Sequence, residues 1–155
     1  MDDARRTALK AIWSVGALVT ALGAGLLNPV RAFAAWNKGA FEAKSAIDAM
    51  KALGVGNAED SKAIEIRAPD IAENGAVVPI DITSNIPGTT AIAVFIEKNP
   101  FPYTGSFDFS QGAVPYVHLR VKIGESSPVR VVVTAGGKHY MTAKEVKVTI
   151  GGCGG

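Results

Sequence analysis

One cysteine stands in this chain, Cys153, and its neighbours are Gly151, Gly152, Gly154 and Gly155. The thiolate is the reactive form of cysteine. Four flanking residues without side chains leave the sulfur unshielded and open backbone angles closed to other residues. The chemistry available to such a group is covalent attachment through sulfur. Stretched at about 3.3–3.6 Å per residue, the five residues extend about 17 Å, enough to enter the active-site cleft of another protein. They read as an arm, with the glycines as hinge and clearance residues. Two plainer uses of the same ending stay open. A Gly-rich terminus can be a flexible tag, and a leftover cysteine can form a disulfide with another chain.

Other chemistry is thin. Common metal sites need clustered Cys and His, whereas His118 and His139 lie at unrelated spacings and are expected as surface strand residues. A cysteine nucleophile with its own active site needs a base held rigidly beside it, which a pentapeptide of this kind does not supply. No base adjoins Cys153 in sequence, and the acidic residues are scattered without a catalytic pair. Gly136-Gly137 has no helix after it, so it is a hairpin turn rather than a phosphate loop. The chain is therefore expected to be non-catalytic, with no cofactor and no metal, its thiol worked on by other proteins.

The elements that must position the thiol are mostly strands. Val146-Lys147-Val148-Thr149-Ile150 runs directly into the arm, within a last strand expected over Lys144 to Ile150. Ahead of it, Val129 to Thr134 and Lys138 to Met141 form a hairpin around Gly136-Gly137. From Tyr116 to Ile123 the alternation puts Tyr116, His118, Arg120 and Lys122 on one face and Val117, Leu119, Val121 and Ile123 on the other. Ala63 to Arg67, Ala76 to Thr83, Thr90 to Glu97 and Phe107 to Phe109 supply the rest. Pro79 lacks a ladder donor and marks an edge or a bulge, and Asn99 to Gly105 is a loop. Asn37 to Leu53 reads as one amphipathic helix with Ala43, Ala46, Ile47, Met50 and Leu53 on its apolar face, packed on its own domain and ended by Gly54. About seven short strands after one helix predict a mainly β fold, an immunoglobulin-like antiparallel sandwich over residues 35–150. The 155 residues suffice for one such core.

Residues 1–34 have the layout of a secretory signal: Arg5-Arg6, an apolar stretch from Ala11 to Leu27, and Ala32-Phe33-Ala34 with cleavage expected after Ala34. The paired arginines with Leu9-Lys10 resemble a twin-arginine signal, although Ala4 and Ala8 depart from its usual pattern. The apolar stretch is short and diluted by glycine, so no membrane anchor is expected in the mature form. The mature protein is expected in a periplasm, where a lone exposed thiol is unusual. Arg5, Arg6, Lys10 and Arg31 against Asp2 and Asp3 give this segment a net +2 and leave the remainder formally neutral. That balance gives no case for nucleic acid or an anionic membrane surface.

The ending Val146 to Gly155 closely resembles the SoxY family, the sulfur-carrier subunits of the periplasmic thiosulfate-oxidising system. Ala68-Pro69-Asp70-Ile71-Ala72-Glu73-Asn74-Gly75-Ala76-Val77-Val78-Pro79 and Glu97-Lys98-Asn99-Pro100 look like that family too. The resemblance implies a heterodimer with a SoxZ subunit, exported together through the twin-arginine route, and Cys153 as the point of covalent sulfur attachment. It implies transient visits to SoxAX, SoxB and, where present, SoxCD. Such a carrier would hold S-sulfane and S-thiosulfonate adducts. The alternative is an exported immunoglobulin-like binding or structural module whose Cys153 makes an intermolecular disulfide dimer. A ubiquitin-like carrier using a terminal Gly-Gly needs no cysteine and works in the cytoplasm, against the export signal.

Overall fold

The computed structural model describes residues 37–110 and 112–150. Two short helices, α1 (Lys38–Glu42) and α2 (Ala46–Ala52), precede nine strands. These are β1 (Glu59–Asp60), β2 (Ile64–Arg67), β3 (Ile71–Asn74), β4 (Val78–Ser84), β5 (Thr89–Ile96), β6 (Tyr103–Asp108), β7 (Tyr116–Val121), β8 (Ser127–Ala135) and β9 (Lys138–Ile150). The expected hairpin links β8 to β9, with Ala135 opposite Lys138 and positive φ at both Gly136 and Gly137, the geometry a two-residue primed turn requires.

Period-two strands build a small antiparallel sheet in the order β2-β4-β7. Val78, Ile80 and Ile82 of β4 and Val117 and Val121 of β7 point into the protein, while Pro79, Tyr116, His118 and Arg120 lie on the outer face. Pro79 sits in a central strand rather than at a sheet edge. It is tolerated because β2 pairs only with residues 81–84, so its missing N–H falls beyond the end of that ladder.

The larger sheet runs β1-β9-β8-β5-β6, with β3 also paired to β9. Its inner face presents Ile92, Val94, Ile96, Val129, Val131, Val133 and Val146 to the small sheet, and together they form the main core. Its outer face carries Ala93, Phe95, Tyr103 and Val132 under Ala40, Ala49 and Met50 of the helices. Burial on both faces explains why β5 and β8 read as continuous apolar runs instead of alternating ones. The whole is a mainly β, two-sheet sandwich of immunoglobulin-like type.

Four expectations change in detail. The single helix over 37–53 is two helices, because Ala43 is extended and Ser45 starts a new cap, accepting from Asp48 N at 3.1 Å. The break rotates the apolar face: Ala40, Ala49 and Met50 are buried, and Ile47 is 66% exposed. Gly54 does end α2, where Val55 N bonds Met50 O and Gly54 N bonds Lys51 O, a Schellman arrangement. The two segments expected at 138–141 and 144–150 are one 13-residue strand. β3 was not anticipated, and it and β1 pair with β9 in parallel, so the sandwich is not wholly antiparallel. β6 begins at Tyr103, inside the expected loop.

Candidate functional site

Cys153, Gly151, Gly152, Gly154 and Gly155 lie outside the described residues, as do Arg5, Arg6 and the cleavage position after Ala34. What the structure describes is the strand that leads into those C-terminal residues. β8 accompanies β9 only as far as Ser127 opposite Val146. Beyond that point β9 needs other partners, and it has them on both sides. On one side β3 runs parallel, with Ile71 opposite Lys147, Ala72 opposite Val148 and Asn74 opposite Ile150. Lys147 N donates to Asp70 O at 3.0 Å and Thr149 Oγ1 to Glu73 O at 3.1 Å. On the other side the Ser126 hydroxyl replaces a strand, accepting from Val148 N at 2.9 Å.

Packing fixes the same segment. Val146 is fully buried, Val148 packs against the core, and Lys144 pairs with Asp70 at 3.0 Å. The neighbouring loops are knitted to this end of the molecule. Asn99 Nδ2 donates to Lys122 O at 2.8 Å, Gly124 N donates to Asn99 Oδ1 at 3.0 Å, and Lys98 N donates to Ser127 Oγ at 3.1 Å. The last ordered pairing, Asn74 with Ile150, thus precedes the cysteine by three residues. Three residues span about 10 Å when extended, so the sulfur has a fixed origin and a bounded reach.

Of the two histidines, His139 sits at the β8–β9 hairpin with Nδ1 3.1 Å from Thr134 Oγ1. His118 lies on the outer face of the small sheet, as the alternation implies. There it is joined by two residues the sequence reading left unconnected. Asp81 stands opposite His118 across β4 and β7, with its Oδ1 2.9 Å from His118 Nδ1. The same oxygen accepts a short hydrogen bond from Tyr116 Oη. The Tyr116 bond first, and the His118 bond second, hold the Asp81 carboxyl below the usual carboxylate range. The Asp81 bond and partial burial raise Tyr116 above the usual phenol range. A raised phenol is a poor nucleophile, and the three groups lie on an open sheet instead of in a cleft, so the cluster has no catalytic geometry. Its signal in the sequence is parity alone: Asp81, Tyr116 and His118 all fall on outward positions, but only the β4–β7 register brings them together.

Among the described residues no three His, Cys, Asp or Glu side chains converge as a metal site would require, and no helix is long and apolar enough to cross a membrane. A cleft of about 490 Å³ opens between the loops at 84–90 and 109–115. Two of its hydroxyls bond each other, Ser84 Oγ and Thr89 Oγ1 being 2.7 Å apart, and Thr89 Oγ1 donates to Ile86 O.

Comparison with known proteins adds the following. No curated protein matches the chain. A solved superoxide reductase (neelaredoxin) from Ignicoccus hospitalis shares 19% identity over 55% of this chain and 78% of its own, with a TM-score of 0.48, too loose a likeness to inform the fold or the chemistry. The sulfur carrier protein SoxY from Chlorobium limicola f thiosulfatophilum has a solved structure that matches at 43% identity and a TM-score of 0.60, covering 67% of this chain and 96% of that one. The family model of the sulfur oxidation protein SoxY matches residues 49–153, a span that begins within α2 and takes in all the strands and the cysteine itself. The chain belongs to the SoxY family.

Proposed function

We propose that this protein is a non-catalytic carrier that holds sulfur intermediates covalently on Cys153 and presents them in turn to periplasmic enzymes. The observation that carries the reading is the match to the SoxY family, which runs through to Cys153. The anchorage of β9, by Ser126 at Val148 on one side and by β3 as far as Ile150 on the other, supports it, since a tether is useful only if its base is fixed. So does the name of the similar Chlorobium protein, a sulfur carrier.

In this reading the Cys153 thiol and thiosulfate are joined by a sulfur–sulfur bond. The thiol loses its proton, and two electrons leave to a haem enzyme of the SoxAX type. Water then cleaves the terminal sulfonate at a SoxB-type hydrolase, releasing sulfate and two protons and leaving a persulfide on Cys153. A SoxCD-type dehydrogenase would oxidise that remaining sulfur. Tethering prevents the intermediates from diffusing away between sites. Gly151, Gly152, Gly154 and Gly155 let the arm pass a narrow channel because they carry no side chains. The carrier itself needs no cofactor. It would pair with a SoxZ-type subunit and leave the cytoplasm by the twin-arginine route, with Arg5 and Arg6 read by the export machinery and cleavage after Ala34.

The test is intact-mass analysis of the periplasmic protein after exposure to thiosulfate. Sulfane and thiosulfonate adducts that map to Cys153 and vanish with reductant are expected. A mass corresponding only to a disulfide dimer would instead favour a stapled binding module. Normal thiosulfate oxidation by Cys153→Ser cells would defeat the carrier reading outright.

A further inference from the structure

The two faces of the sandwich are treated differently. The outer face of the large sheet is covered by α1 and α2, whereas the outer face of β2-β4-β7 carries exposed Arg67, Pro79, Tyr116, His118 and Arg120. Its negative charges are already engaged: Glu65 pairs with Arg67 at 2.8 Å, and Asp81 accepts from Tyr116 and His118. Arg120 on this face and the exposed Lys122 that follows it have no carboxylate partner among the described residues. The face thus presents uncompensated positive charge toward the Lys122 end of β7 and, toward the other end, a tyrosine that is 49% exposed yet tied down through its hydroxyl. A tyrosine held in one orientation loses little conformational entropy on contact, which is why such residues serve as anchors in interfaces.

The face also leads to the arm. Its far end is formed by Lys122 and by Val77, which is 58% exposed. Next to Lys122, Ile123 N donates to Gly75 O at 2.7 Å, and the adjoining Asn74 pairs with Ile150 at the arm root. Anything seated on the Lys122 end of this face lies near Ile150, from which the chain continues to Cys153.

We infer that the open face of β2-β4-β7 is a transient docking surface for an acidic patch on the enzymes that receive the arm, with Tyr116 as its anchor and Arg120 and Lys122 as its steering charges. The inference rests on the carrier reading above. A second copy of this chain is a poor occupant, because a symmetric contact would set Arg120 and Lys122 against themselves. A permanent subunit is a poor occupant as well, because the cores of obligate interfaces are depleted in charged residues and this face is dominated by them. A partner that visits and leaves fits the composition, and charge complementarity acts mainly on encounter rate and specificity.

The experiment uses the full chain with its companion subunit, loaded on Cys153 with thiosulfonate, and the sulfate-releasing hydrolase of the same host. Arg120→Glu/Lys122→Glu should raise KM for the loaded carrier about tenfold while kcat stays within about twofold, and about 0.5 M salt should bring the wild type close to the variant. Tyr116→Ala should raise KM about fivefold without changing kcat. The peptide Gly-Gly-Cys-Gly-Gly carrying the same adduct serves as the arm without the face. If wild type and variants share one KM and one salt dependence while the peptide is turned over, docking is wrong and the carrier reading stands. A loss confined to kcat also overturns docking. If neither loaded carrier nor loaded peptide is processed, both readings fall.

Discussion

Tyr116 and His118 lie 35 and 37 residues from Asp81 in sequence, yet all three meet at one carboxylate oxygen. Because Asp81 is held below its ordinary range, its contribution to stability is present above the usual carboxylate pKa and is lost as pH falls through the lowered value. Tyr116→Phe removes the largest cause of that lowering, so the Asp81 midpoint should move up toward the ordinary carboxylate range in a carboxyl-detected NMR titration. Stability of the variant should then fall off less between that midpoint and the wild type's lower one. Cys153 stands out in the sequence because the case for it rests on its own type and on the four glycines beside it. The Asp81 cluster does not, because a hydrogen bond between strands depends on register, and nothing local in either strand sets that register.

At the scale of elements, the strands with an alternating or continuous apolar pattern match their expected places, and the short β1 and β3 were not anticipated. β7 follows its expected faces, with Val117, Val121 and Ile123 buried and His118 exposed. β3 has four residues and a single buried position, Ala72, and its parallel partner lies more than 70 residues away, so it left no local signal. The helix was read through its own break, because Ser45 looks like an ordinary helical position unless its cap to Asp48 is recognised. Ser45→Ala should cost about 1 kcal/mol in urea unfolding, the usual cost of losing an N-cap. Ser126→Ala tests the arm root. It leaves Val148 N without its acceptor and should cost about 1 kcal/mol, with faster amide exchange at Val148 while the β5–β8 amides stay protected.

Across the whole molecule, the central strands β5 and β8 form a scaffold buried on two sides, and the sites of interest lie away from it, at the arm root and on the small sheet's open face. Ile80→Ala, in the middle of the main core, should destabilise by about 2–5 kcal/mol, read from the denaturation midpoint. Gly151→Ala/Gly152→Ala should leave that midpoint unchanged while slowing carrier-dependent sulfate release roughly ten- to hundredfold, because the arm would no longer place its cargo correctly. Sandwich class could be read from composition and pattern, whereas the covering of one sheet and the baring of the other depended on where the broken helix settled. The 13-residue β9 has one more consequence. Under the proposed function, an arm drawn out of a tight channel would pull on Ile150, and the partners of β9 there and behind it, β3 and then β8, lie alongside that strand. Their hydrogen bonds would therefore be loaded in shear, many at once, instead of being peeled open one after another. The strand is held like a rope spliced along its length, so that withdrawing such an arm would strain a docked complex before it frayed the domain.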